Sequence, residues 1–202
     1  KPDQEAVPSR QFDISKIDFD LLSREFAHTR RKNLLLRDLD ELVNQQLAKM
    51  LFANPQRIDY YDRYQEIIDA YNAEQNRATI EKTFMDLMEL ASSLDTEQQR
   101  YVREGFSSDE ELSVYDLLFS ENLTKQEIET IKKVSVDLLT KIKQQIAKLD
   151  HWTDKQETKA IVDNLIRNTL WQELPNSYDV SDIQTYQKKI YEYVYMRYPE
   201  VA

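Results

Sequence analysis

A single glycine, Gly105, stands among 202 residues. Loops that cradle phosphate need glycines where backbone amides approach the anion, so mononucleotide and dinucleotide loops are excluded. Sandwich and parallel α/β folds would also need far more turn glycine. What the chain has instead is Glu, Gln, Leu and Lys in quantity and five prolines, the composition of a helix-rich protein. Neither strand-like alternation nor an internal repeat breaks that reading. The absence of Cys excludes disulfides and thiolate metal sites. No run of about 18 apolar residues occurs, so no helix is expected to span a bilayer. The chain begins without Met and carries no signal-peptide core, which predicts a piece cut from a longer protein.

The strongest helical signal runs from Thr124 to Tyr178. Thr124-Lys125-Gln126-Glu127 is a capping box, in which each end residue serves the other's backbone amide. Behind it Ile128, Ile131, Leu138, Leu139, Ile142, Ile146 and Leu149 recur at helical spacing, with Asp137, Lys141, Gln144 and Lys148 opposite. Thr153-Asp154-Lys155-Gln156 repeats the start signal, and Ala160, Ile161, Leu165 and Leu170 mark the next buried face. Leu174-Pro175 ends it, since Pro cannot continue a helix and biases its predecessor away from the helical region. This antiparallel pair is predicted to be the spine of an all-α bundle of about seven to nine helices.

Residues 1–16 hold Pro2 and Pro8 and read as linker, with one helical domain over 17–202. Ile17-Asp18-Phe19-Asp20 opens a short helix carrying Leu21, Leu22 and Phe26. Leu36, Leu39, Val43, Leu47, Met50 and Leu51 form the next stripe, closed by Asn54-Pro55. Tyr60, Tyr61, Tyr64, Ile67, Ile68 and Tyr71 follow as a core-facing stripe whose hydroxyls need partners. Ile80, Phe84, Leu87, Met88, Ala91 and Leu94 mark a helix ending near Asp95, and Thr96 restarts a short one that Gly105 terminates. Ser108 to Glu111 reads as a further capping box, leading Leu112, Tyr115, Leu118 and Phe119 into the core. Ser181 is expected to cap the last helix, with Ile183, Tyr186, Ile190, Tyr193 and Val194 inward and Tyr191, Tyr195 and Tyr198 as a second stripe. Such wide apolar cover predicts a helix wedged between two others, or an outer stripe that meets a partner.

No constellation of residues supports catalysis, cofactor binding or metal binding. His28 and His151 lack acidic or Cys neighbours at ligand spacing. Glu157-Thr158-Lys159 spells the tail of a metal-dependent nuclease signature, but inside a helix residues two apart do not face the same way. The net charge of −10 opposes bulk nucleic-acid binding. Between Arg24 and Arg37, however, Arg24, Arg30, Arg31, Lys32 and Arg37 face one acid, Glu25. Arg30-Arg31-Lys32 is therefore either a solvated break between helices or a contact for phosphate or an acidic patch. Trp152 and Trp171 flank the helix pair, either as core or as a partner-facing anchor. Tyr191, Tyr195 and Tyr198 share one helix line, and with Trp152 they are the candidate partner-binding residues.

Several stretches together resemble one known family. They are Ile58-Asp59-Tyr60-Tyr61-Asp62-Arg63-Tyr64-Gln65-Glu66-Ile67-Ile68 with Tyr71-Asn72, and Val114-Tyr115-Asp116-Leu117-Leu118-Phe119. Ile131-Lys132-Lys133-Val134 with Leu138-Leu139, and Asp150-His151-Trp152 with Lys155, Ala160 and Ile166, extend the likeness. Leu174-Pro175 with Tyr178, and Val194-Tyr195, complete it. From about Ile17 onward the chain resembles the helical C-terminal region of the restriction (motor) subunit of type I restriction-modification enzymes.

That resemblance implies a cytoplasmic assembly domain without a catalytic residue of its own. Its expected partners are the methyltransferase subunit and the helicase domains of its own subunit, with no membrane partner. DNA would be met through the complex, and ATP and Mg would be used elsewhere in the parent subunit. The alternative is a helical domain that contacts DNA itself through the Arg24–Arg37 cluster. ATP turnover needs a phosphate loop and an acidic Mg²⁺ site, so a pure preparation of this chain should show neither ATPase activity nor DNA cleavage. DNA-stimulated ATPase that survives further purification would contradict this.

Overall fold

The computed structural model describes residues 17–199, which form nine α-helices and no strand. The expected linker over 1–16 lies outside the described residues. Two compact units divide them, one from 17–50 and 57–99, the other from 51–56 and 100–199.

The first unit is built from α1 (Phe19–His28), most of α2 (Lys32–Ala53), α3 (Ile58–Ala73) and α4 (Arg77–Gln98). Asp18 caps α1 by accepting from the Leu21 amide at 2.9 Å. The expected stripe of α2 is buried from Leu36 to Met50, with Gln46 added to it. It shares one core with Phe26, Tyr64, Ile67, Phe84, Leu87 and Leu94. Phe26 stacks on Phe84 with ring centroids 3.6 Å apart. The Tyr64 hydroxyl donates to Asp40 at 2.7 Å, which supplies the partner a buried phenol needs. Burial, with the Asp40 contact behind it, pushes that hydroxyl above its ordinary pKa. Tyr61, expected inside, is 36% exposed.

Thr96 does not restart a helix. α4 runs on through it to Gln98, and the Thr96 hydroxyl donates back to the Ser92 carbonyl at 3.1 Å. The extension is held by Glu97, buried beside Arg57 with Nε 3.0 Å from its carboxylate. Tyr60 also points its hydroxyl at Glu97, 3.5 Å away.

The second unit contains α5 (Arg100–Arg103), α6 (Asp109–Leu118), α7 (Lys125–Ile146), α8 (Gln156–Glu173) and α9 (Val180–Arg197). Contacts run α6 to α7, α7 to α8, α8 to α9, and α9 back to α6, closing a four-helix bundle. The expected α7–α8 pair is therefore one side of that bundle, and α9 is wedged between α8 and α6. Gly105, at φ +85°, ends α5 as expected. The Phe106 amide reaches the Tyr101 carbonyl at 2.9 Å and the Gly105 amide the Val102 carbonyl at 3.1 Å, the paired bonds of a Schellman turn. The capping box of α7 is present, with Glu127 held below its ordinary pKa first by the Thr124 hydroxyl and then by the Thr124 amide.

Four local expectations shift. Glu111 reaches back to the Ser107 amide at 2.8 Å, not to Ser108, so that box is displaced by one residue. Phe119, the C-cap of α6, is 44% exposed. α8 is capped at Lys155 rather than Thr153, and it buries Val162, Ile166, Thr169 and Leu170 while Ala160 and Ile161 lie exposed. α9 starts two residues early, because Asp179 and Asp182 form its capping box.

The turn after α2 belongs to the second unit. Asn54, fully buried, donates to Asp116 at 2.7 Å, and Arg100 also pairs with Asp116. Ser113 donates to the Ala53 carbonyl at 2.9 Å. Removing one partner of a buried ion pair strands the other, at about 3–5 kcal/mol. Glu97→Ala should therefore destabilise the chain by that order in urea unfolding, whereas Arg57→Met with Glu97→Leu should be close to neutral. A single variant no less stable than wild type would show that the pair is not shut off from water.

Candidate docking surfaces

Trp152 lies in the turn before α8 with its indole only 1% exposed, and its Nε1–H donates to the Tyr198 carbonyl at 2.7 Å. The left-handed conformation of His151 (φ +45°) helps turn the chain there, and the Asp154 amide closes the turn on the His151 carbonyl at 3.0 Å. Tyr191 and Tyr195 meet the indole edge-on, with centroids 6.1 and 5.7 Å away. Lys159 sits 5.8 Å above the Tyr195 ring, a cation–π contact. Tyr198 is buried under Lys143, 5.3 Å from its ring. Burial first, then the nearby Asp163 carboxylate, raise the Tyr191 hydroxyl above its ordinary pKa.

These positions correct the expected line of partner-binding tyrosines. Trp152 and Tyr198 are core residues, Tyr191 is half-buried against that core, and only Tyr195, 39% exposed, presents much of its ring. The physical reason is the indole itself. An aromatic of that size in the α7–α8 turn draws the second stripe of α9 over it. The tryptophan at the surface is Trp171, half exposed on α8.

A different concavity is better placed for a partner. Leu51, Phe52, Pro55, Leu117, Tyr193 and Met196 form the apolar part of a groove of about 320 Å³ within the second unit, and Gln56, Lys189, Glu192 and Arg197 its polar part. Phe52 and Met196 are 56% and 71% exposed on its rim. The Arg197 guanidinium stacks 4.8 Å over Phe52, and its buried Nε has no hydrogen-bond partner among the described residues. Apolar walls with a few polar groups are the usual make-up of a binding cleft. Little in the residue pattern points to this groove. Met196 lies outside both stripes of α9, and Phe52 belongs to the last turn of α2, past its periodic core positions.

Arg30, Arg31 and Lys32 do come together, in a notch of the first unit that also includes Thr29, Asn33 and Arg77. Lys32 is not free, since its Nζ lies 3.2 Å from Glu81 and 4.4 Å above the Phe26 ring. Glu157, Thr158 and Lys159 all lie in α8, where the Thr158 hydroxyl is occupied with the Trp152 carbonyl at 2.7 Å. Among the described residues no cluster of three or more His, Asp or Glu could hold a metal, and no helix is long and apolar enough to cross a membrane.

The described residues thus define an all-helical protein. The family model for the C-terminal domain of proteins like the type I restriction enzyme HindI endonuclease subunit matches residues 5–198, and the chain belongs to that family. No curated protein and no solved structure matches the chain.

The geometry around the indole sets an order of stabilities. Trp152→Phe leaves the buried Tyr198 carbonyl without its donor, a loss of about 1–3 kcal/mol before any packing change. Tyr195→Ala should cost less, because much of that ring is already in water. Urea unfolding of both variants checks the order, and the reverse order would mean that Tyr195 is the better buried of the two.

Proposed function

We propose that the chain docks an ATP-dependent, DNA-translocating restriction endonuclease subunit onto the methyltransferase core of a type I restriction-modification complex. The observation that carries this reading is its family, the C-terminal domain of an endonuclease subunit. In such an arrangement ATP, Mg and the nuclease chemistry belong to the rest of the parent subunit. This domain contributes contact surface, toward the methyltransferase subunit on one side and its own helicase domains on another, and it works in the cytoplasm.

The groove at Phe52 and Met196 fits the part physically. Exposed apolar side chains on a concave surface gain most from being covered, and a guanidinium stacked on an aromatic ring is a common interface anchor. Trp171 offers a second aromatic anchor on the same unit.

Capture of a purified methyltransferase subunit by the chain tests the proposal. Binding is expected, and Phe52→Ala with Met196→Ala should weaken it at least about tenfold, or 1.4 kcal/mol. Both side chains are exposed, so the melting temperature should hold. A wild-type chain that captures no methyltransferase subunit would end this reading.

A further inference from the structure

We infer that the notch formed by Thr29–Asn33 and Arg77 binds a phosphate group. Six residues line it: Thr29, Arg30, Arg31, Lys32, Asn33 and Arg77. All six side chains carry a hydrogen-bond donor, and neither a carboxylate nor an apolar side chain is among them. The space between them, about 430 Å³, is ample for a tetrahedral anion with part of what it is attached to. Arg77 comes from a segment more than forty residues further along the chain than the basic run, so the cluster exists only in the fold.

Its charge is only partly compensated. Glu81 stands at the rim with one oxygen 3.2 Å from both Lys32 Nζ and Arg77 Nε, which holds those two cations side by side. The two cations hold its carboxyl below the ordinary range, Lys32 first. Arg30 and Arg31 are exposed, and among the described residues neither pairs with an acid. Four positive groups against one negative leave a local excess of three.

The backbone adds to that excess. α2 begins at Lys32 and α4 at Arg77, and neither has an acid in its first turn, unlike α1, α3, α6, α7, α8 and α9. Cations at a helix start are opposed by the macrodipole, while an anion there is favoured. A bound anion would relieve both this repulsion and that between the side chains. Phosphate suits the donors better than a protein carboxylate does. A hydroxyl, an amide and planar guanidinium forks together are the usual contacts of a backbone phosphate. A recess also takes one tetrahedral group more readily than a flat acidic face.

This assignment is independent of the docking reading. It is tested on the whole chain with two phosphate sources, a short DNA duplex of arbitrary sequence and inorganic phosphate, and with poly-glutamate as the protein-like anion. If the duplex is the source, about three phosphate contacts should cost about 40-fold in affinity between roughly 50 and 200 mM salt. Arg77→Ala should weaken binding and lower the salt slope by about one, as should Arg31→Ala. Arg24→Ala, outside the notch, should change nothing. Saturable, Arg77-dependent binding of inorganic phosphate without duplex binding would support the site and assign it to a free phosphate. Arg77 is 84% exposed, so Arg77→Ala and the charge reversal Arg77→Glu should both keep the wild-type melting temperature. Binding of neither phosphate source, indifference to both Arg77 variants, or tighter binding of poly-glutamate would overturn the inference.

Discussion

A chain with one glycine must turn without it, and that constraint shapes most of this structure. Five helix starts are closed by side chains, from Asp18, Asn76, Ser108, Thr124 and Asp179. Several ends simply leave in extended backbone, at Thr29, Glu74, Phe119 and Leu174. Among the described residues only Gly105, Asn122 and His151 take left-handed backbone. For an L-residue that conformation costs about 1–2 kcal/mol, and Asn is one of the few that visit it routinely. His151 therefore has a structural task, placing Trp152.

Caps and prolines are local signals, and some of the boundaries they set were legible in the sequence. The Thr124 box, the Gly105 stop and the Leu174-Pro175 break all stand where the residues put them. Buried polar pairs were not legible, because their partners are distant in the chain. Asn54-Pro55 reads as a helix stop, yet Asn54 is bonded to Asp116, 62 residues away. Glu97 reads as part of a new helix start, yet its partner Arg57 lies 40 residues earlier and draws α4 onward. Once desolvated, such groups must be satisfied, and that need overrides a local start signal.

The same distinction explains the candidate surfaces. On α7 the apolar residues occupy one stripe, so the buried face follows from spacing alone. On α8, Ala160, Ile161, Val162, Leu165, Ile166 and Leu170 surround more of the helix. Periodicity then offers more than one face, and packing against α7 and α9 selects Val162 and Ile166. The two tryptophans show the limit most plainly. Both flank the helix pair, but the one in the turn can be enclosed by α9 while Trp171, on the outer face of α8, cannot. Arg77 was missed for a related reason: alone it is one more surface cation, and only the fold sets it beside Arg30 and Arg31.

The two surfaces that result obey different physics. The groove at Phe52 and Met196 gains by removing apolar area from water, which moderate salt hardly weakens. The notch at Arg77 gains by Coulomb attraction, which is screened over about 10 Å at 0.1 M ionic strength. The chain as a whole, at −10, repels the same anion that the notch attracts. That repulsion acts at long range and slows encounter, whereas the notch acts only at contact. The docking proposed above would bring such an anion to the notch, although the notch needs no docking to bind it. Anchoring raises the effective concentration of the second contact without changing its intrinsic strength. On this account the salt-sensitive notch and the salt-tolerant groove, if both are used, would respond to ionic strength to different degrees.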